Sequence, residues 1–241
     1  MKDNNLLQDL AAYLYAFASA QDGRTPSERE LAEHFNVSRG QIREALAILE
    51  AMSIVKRRAK SGIYLTTTQA GVDALALFAK AGVPLDPVLL YEAVELRKIH
   101  EIKAAELACS RATEENFDRL REILKASEER IAAGEGLATE DRDFHLEIVR
   151  ATQNSVFHKV CSAYYVMGEA RLPIYFKNPE RNRLSHAEHL QIFDALVRRD
   201  GNLAQALMSA HLQNVESYWK GLLGDTPQNT ESRANPAIAK G

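Results

Sequence analysis

Residues 25–65 read TPSERELAEHFNVSRGQIREALAILEAMSIVKRRAKSGIYL, and in them two short helical patterns and a basic hairpin follow one another with almost no slack. The first helix is predicted to begin at Ser27. Glu30 lies three residues on, so hydroxyl and carboxylate can each satisfy a free backbone N–H at the helix start. Ser38 and Gln41 repeat the device for a second helix. Leu31, Ala32 and Phe35 form one apolar stripe, and Ile42, Ala45, Leu46 and Leu49 form another, both at helical spacing. Two helices joined through Asn36-Val37 must bury these stripes against each other.

The opposite side of the second helix carries Gly40, Arg43, Glu44 and Ala47, with Arg39 in its first turn. Small residues beside arginines allow close approach to a nucleic acid. A guanidinium at a helix start can reach the O6 and N7 acceptors of guanine, and each good bidentate pair contributes roughly 1–3 kcal/mol of discrimination. IVKRR then reads as a strand, and Lys60-Ser61-Gly62 turns it into a second strand, IYLTT. The hairpin carries Lys56, Arg57, Arg58 and Lys60, suited to holding phosphates or entering a minor groove. An ordinary α+β scaffold with solvated charges would leave unexplained why the arginines and the basic hairpin share one side.

SERELAEHFNVSRGQIREAL followed by this hairpin resembles the winged helix-turn-helix domain of GntR-type transcription regulators. The resemblance spans about forty consecutive residues. It implies that Arg29, Arg39 and Arg43 contact operator DNA, together with Ser38 and the wing glycine Gly62. Gln41, Lys56, Arg58 and Lys60 complete the expected DNA-binding set. The chain departs from the family pattern at Gly40-Gln41, where a small hydroxyl residue or proline is usual, so no operator sequence carries over. The strand that usually precedes the motif is shortened to Gln21-Asp22-Gly23-Arg24.

A chain of 241 residues, 46% hydrophobic and 26% charged, can bury sizeable cores in one or two domains. Its net charge of −3 conceals a division, because residues 36–66 hold six Lys/Arg against two Asp/Glu and leave the remainder acidic. Local charge decides phosphate contact. No stretch approaches the ~20 apolar residues of a membrane span, and MKDNNLLQDLAAYLYAF reads as an amphipathic helix without the basic region of a signal peptide. A cytoplasmic location without membrane contact is the expectation. Cys109 and Cys161 sit in apolar helical patterns without CxxC spacing, and read as buried reduced thiols.

From Gln69 the patterning is helical only, and seven helices are predicted, over 70–82, 88–112, 113–134, 139–151, 155–172, 185–199 and 202–223. The expected fold is therefore mainly α. Residues 1–68 form a winged helix-turn-helix with a small β-hairpin wing, and 69–223 form an all-α bundle. The tail, 224–241, is rich in Pro, Asn, Ser and Thr and is expected to be disordered.

Within the bundle, polar residues occupy inward stripes. Asp141 and His145 are four apart and share a face with Phe144, Ile148 and Val149. His189 lies on the stripe of Ile192, Phe193 and Leu196, and His211 on that of Leu207, Met208 and Val215. An isolated buried charge is costly, and a divalent metal would satisfy one carboxylate and three imidazoles at once. This donor set suits zinc, nickel, iron or manganese alike. Each histidine taken alone is more often a hydrogen-bonded core residue; together they point to a site.

The same four residues resemble the ligand set of the FCD domain, the ligand-sensing helical domain of the FadR-like branch of that family, over roughly residues 85–220. DRDFH supplies Asp141 and His145, and the EHLQIFDAL and ALMSAHL helices supply His189 and His211. The resemblance implies a bound metal that, with an arginine matched by Arg97, holds a small carboxylate effector; Asn154 matches a motif asparagine. From the residues alone, Arg97 could equally pair with Glu101 on its own helix, and Asn154 could be a helix-end residue. His100 stands where the family usually has leucine.

The resulting expectation is a dimeric, effector-responsive regulator on a palindromic operator, not an enzyme. Repression relieved by the effector is the commoner arrangement in the resembled family, and the sequence does not give the sign. A metalloenzyme is the first alternative, against which stands the lack of a spare inward carboxylate to serve as a base. A DNA-binding protein without an effector is the second.

Overall fold

The computed structural model describes residues 3–19, 23–58, 62–66, 71–83, 87–168 and 172–223. Helix α1 (Asp3–Ser19) precedes α2 (Glu28–Phe35) and α3 (Arg39–Ala51). Both predicted capping boxes form, with Ser27 paired to Glu30 and Ser38 to Gln41. Between the helices Asn36 takes a left-handed φ of 52°, a conformation Asn tolerates better than most residues. Leu31 and Ala32 of α2 and Ile42, Ala45, Leu46 and Leu49 of α3 are buried as expected. Leu10 and Leu14 of α1 close the same core.

Strands β1 (Val55–Arg58) and β2 (Gly62–Leu65) pair antiparallel with Lys56 opposite Tyr64. The shortened preceding segment keeps a vestige of a third strand. Arg24 bridges to Tyr64, the Leu65 N–H donates to Gly23 O at 2.8 Å, and the Thr25 N–H donates to Ile63 O at 2.9 Å. The hairpin tip, including Lys60 and Ser61, lies outside the described residues, as does the expected domain boundary near residue 68.

Helix α4 (Val72–Lys80) lends Ala74, Leu77 and Phe78 to the N-terminal core while also packing against α8. It is therefore the connecting element. The bundle follows: α5 (Pro87–Arg111), α6 (Glu114–Ala132), α7 (Ala138–Ala151), α8 (Ser155–Gly168), α9 (Leu172–Tyr175), α10 (Pro179–Val197) and α11 (Gly201–Leu223). Its core joins Ala104 and Ala108 of α5, Leu120 of α6, Phe144 and Ile148 of α7, and Ile192, Met208 and Leu212 of α10 and α11.

Two expectations need correction. Among the described residues, eight helices follow residue 70 rather than seven, because the one-turn α9 (Leu172–Tyr175) stands between α8 and α10. Helix α10 starts at Pro179 and not at Ser185. Asn178 caps it, its side-chain oxygen accepting from the Glu180 N–H at 2.9 Å, and Pro179 follows in the first turn. The expected tail lies outside the described residues.

Candidate DNA-reading surface and metal centre

The first turn of α3 presents Arg39, Gly40 and Gln41 to solvent, and Arg43, Glu44 and Ala47 continue that face. Gln41 is engaged in the cap: its Oε1 accepts from the Ser38 N–H at 3.0 Å, and Ser38 Oγ accepts from the Gln41 N–H at 3.2 Å. Arg43 is held sideways, its Nε–H donating to Glu28 Oε2 of α2 at 2.7 Å. Arg29 lies in an exposed pair with Glu33 at 3.9 Å. On the wing, Lys56 and Arg58 are exposed, and the Arg58 guanidinium sits 4.3 Å above the Tyr64 ring.

Gly62 has φ +117°, so a side chain there would be strained, and a Cβ would stand 3.7 Å from Arg24 Nε. Arg24 thus joins the basic surface, a residue the sequence did not single out. It lines a groove of about 780 Å³ with Tyr13, Phe17, Arg57 and Arg58. Lys56→Ala is expected to weaken binding to all duplexes alike and to flatten its salt dependence. A loss confined to one sequence would contradict a phosphate role.

In the bundle, α7 brings Asp141 and His145 together, and α10 and α11 bring His189 and His211 to them. One ligand atom from each lies within 4.8 Å of the others. All four are buried, His145 fully. His145 Nε2 and His189 Nε2 stand 3.1 and 3.3 Å from His211 Nε2, and Asp141 Oδ1 is 3.8 and 3.5 Å from the first two. Tetrahedral ligands about 2.1 Å from a metal stand roughly 3.4 Å apart, close to these four distances, and the widest pair of the cluster, within 4.8 Å, would draw in on binding.

Proton accounting supports the fit. His211 Nδ1 meets the Glu188 carboxylate at 2.6 Å and so carries the proton in the neutral ring, which turns a lone pair toward the other two imidazoles and Asp141. Burial pushes the His211 and His189 rings below the ordinary histidine range, for His211 despite Glu188. Neutral imidazole is the form a metal requires. The donor set therefore suits a divalent cation, with Asp141, His145, His189 and His211 as the residues that would hold it.

Arg97 and Glu101, on α5, complete the buried network. The Arg97 Nε–H donates to Glu101 Oε1 at 2.9 Å, Nη2 donates to the Tyr165 hydroxyl at 2.9 Å, and that hydroxyl donates to Glu101 Oε1 at 2.6 Å. Glu101 Oε2 reaches His145 Nδ1 at 2.8 Å. The two atoms are close but not aligned as a hydrogen bond, and each remains buried without such a partner. Burial pushes the Glu101 carboxyl up, but Arg97, His145 and Tyr165 outweigh it and hold the group below the usual carboxylate range. Glu101 is a further inward carboxylate, 2% exposed. Tied to Arg97, it is poorly placed to act as a general base.

Asn154 is exposed at the start of α8, where its Oδ1 accepts from the Phe157 N–H at 3.1 Å. Among the described residues, no contact brings it to the Asp141, His145, His189 and His211 cluster. His100 is half-buried with its ring edge against Phe157, at 5.4 Å between centroids. The thiols of Cys109 and Cys161 are buried and free, as expected. Glu188 and Tyr165 were not singled out from the sequence, and Glu101 was singled out only as a helix partner for Arg97. Among the described residues, no helix is long and apolar enough to cross a membrane.

Comparison with known proteins agrees with both halves. The FCD domain family matches residues 92–214, and the gntR family of bacterial regulatory proteins matches residues 20–65. The HTH-type transcriptional regulator LutR of Bacillus subtilis is 32% identical over 84% of this chain and 94% of its own length. The Uxu operon transcriptional regulator of Escherichia coli is 30% identical over 80% of this chain and 77% of its own. The transcriptional repressor NanR of Escherichia coli is 28% identical over 80% and 75%. In fold, the solved structure of the Listeria monocytogenes regulator Lar superposes with a TM-score of 0.62 at 18% identity, covering 91% of this chain and 97% of that one. The two matched stretches cover the helix pair with its wing and most of the bundle, and the chain belongs to the gntR family of bacterial transcriptional regulators, in the branch that carries an FCD domain.

Proposed function

We propose that the protein is a homodimeric repressor that releases a palindromic operator when a small carboxylate effector binds at a metal held by Asp141, His145, His189 and His211. Residues 1–68 would read the DNA and residues 69–223 would sense the effector. The observation that carries this reading is the convergence of three imidazole Nε2 atoms and one carboxylate in a closed helical core. A bound divalent metal would supply open coordination positions to an anionic oxygen. Arg97, buried beside the ligands and tied to Glu101, adds positive charge on the α5 side. A twofold dimer would place two α3 helices on successive half-sites. Repression finds support in the name of NanR, 28% identical to this chain.

Effector binding can alter DNA affinity only if the effector prefers one arrangement of the winged helices over another. Helix α4 is the natural route, because it packs on α1 of the reading head and on α8 of the bundle. The test is a thermal-shift screen of small carboxylic acids with and without added divalent metals, followed by duplex binding with each hit. A shift that needs metal and that lowers operator affinity is the expected outcome. A shift indifferent to metal would remove the ion from the sensor.

A further inference from the structure

We infer that Glu28 aims Arg43 at its base, acting as a positioning residue for sequence reading. The inference rests on the reading that residues 25–65 contact DNA. Arg43 emerges from the exposed face of α3, and its side chain is 66% exposed, yet its Nε is taken by Glu28 Oε2 at 2.7 Å. That bond occupies the inner edge of the guanidinium and leaves the two terminal nitrogens at the outer end. Those are the donors that can meet O6 and N7 of a guanine together. An arginine already fixed in one orientation loses less freedom on meeting its base.

Glu28 is itself fixed. It sits in the first turn of α2, directly after the Ser27 cap, and its other oxygen faces Arg57 Nη2 of the wing at 3.6 Å. Arg57 is held in turn by Glu50 of α3, whose Oε1 accepts from the Arg57 N–H at 3.0 Å and whose Oε2 accepts from Nη1 at 3.2 Å. The chain Arg43–Glu28–Arg57–Glu50 therefore ties together α2, α3 and the wing, the three elements that must meet the duplex in register. Arg57 serves as a strut within it. A carboxylate that merely neutralised Arg43 would need no such support, and its removal would strengthen binding to DNA.

The experiment is selection from a pool of random-sequence duplexes with wild type, Arg43→Ala, Glu28→Ala and Glu28→Gln, each checked for folding by thermal melting. Arg43→Ala is expected to lose preference at one base position per half-site. Glu28→Ala is expected to lose about tenfold of discrimination at that same position and none elsewhere, with binding to random duplex undiminished. Glu28→Gln, whose amide oxygen can still accept from Nε, is expected to keep the preference. If Glu28→Ala unfolds, Glu28→Met carries the same expectation. Unchanged preference at the Arg43 position, or tighter operator binding with preference intact, would overturn the inference. A wild type that selects no consensus would instead remove the DNA reading beneath it.

Discussion

His211→Ala is expected to lose divalent-metal affinity by more than about a hundredfold, since loss of a ligand should cost at least as much as loss of a partner behind one. His211 stands at the middle of the cluster, its Nε2 within 3.3 Å of both other imidazole nitrogens. Removing it leaves Asp141 with two imidazoles and an opening that water can enter. The comparison that gives this result meaning is Glu188→Ala. Glu188 touches only the far nitrogen of His211, and its other oxygen accepts from Asn214 at 2.7 Å. A carboxylate behind a ligand orients the ring and raises its basicity, and its loss is expected to cost about 10–100-fold. Competition titration against a metal chelator measures both variants, with metal content of the purified proteins as the independent check. Full metal retention by His211→Ala would strike it from the ligand set. Equal affinity in Glu188→Ala and wild type would leave that carboxylate a surface partner only.

Why the four converging residues were legible in the sequence and their supports were not follows from distance along the chain. A buried polar residue announces itself locally. Asp141 and His145 interrupt an apolar stripe at helical spacing, as do His189 and His211, and each interruption is visible within one helix. The capping boxes at Ser27 and Ser38 span three residues and were equally plain. Glu188 and Glu28 serve partners on other helices, His211 and Arg43, and nothing in their own neighbourhood marks them. Glu101 was visible only as a helix partner for Arg97; that it also faces His145 depends on how α5 packs against α7. Helix α9 has four residues, too few for any period to emerge. The early start of α10 carried its signal in Asn178-Pro179, but the inward positions of its first turns are the polar Asn182 and Ser185, so no apolar stripe leads the helix back to it.

Glu101→Leu is expected to destabilise the metal-free protein by about 3–5 kcal/mol, because it leaves the Arg97 guanidinium buried without its counter-charge. The side chains of Arg97 and Glu101 are 7% and 3% exposed, so water can do little to compensate. Exchanging both, as Arg97→Met with Glu101→Leu, is expected to recover most of the loss, since apolar side chains of similar volume replace a desolvated pair at little net cost. Urea unfolding in the presence of a chelator measures the difference without a contribution from metal. A loss below about 1 kcal/mol in the single variant would mean that Arg97 finds another partner or reaches water. The complementary change, Arg97→Met, isolates Glu101 beside His145 Nδ1. A divalent cation on the other face of that imidazole would then relieve the unpaired carboxylate, so added metal should stabilise Arg97→Met more than wild type. If it does, Arg97 acts in the resting site as a charge that the metal can partly replace, and an anionic effector meets a pair of cations rather than one. If metal stabilises both proteins equally, Arg97 and Glu101 are a closed pair within the core, and the effector must be held without that arginine.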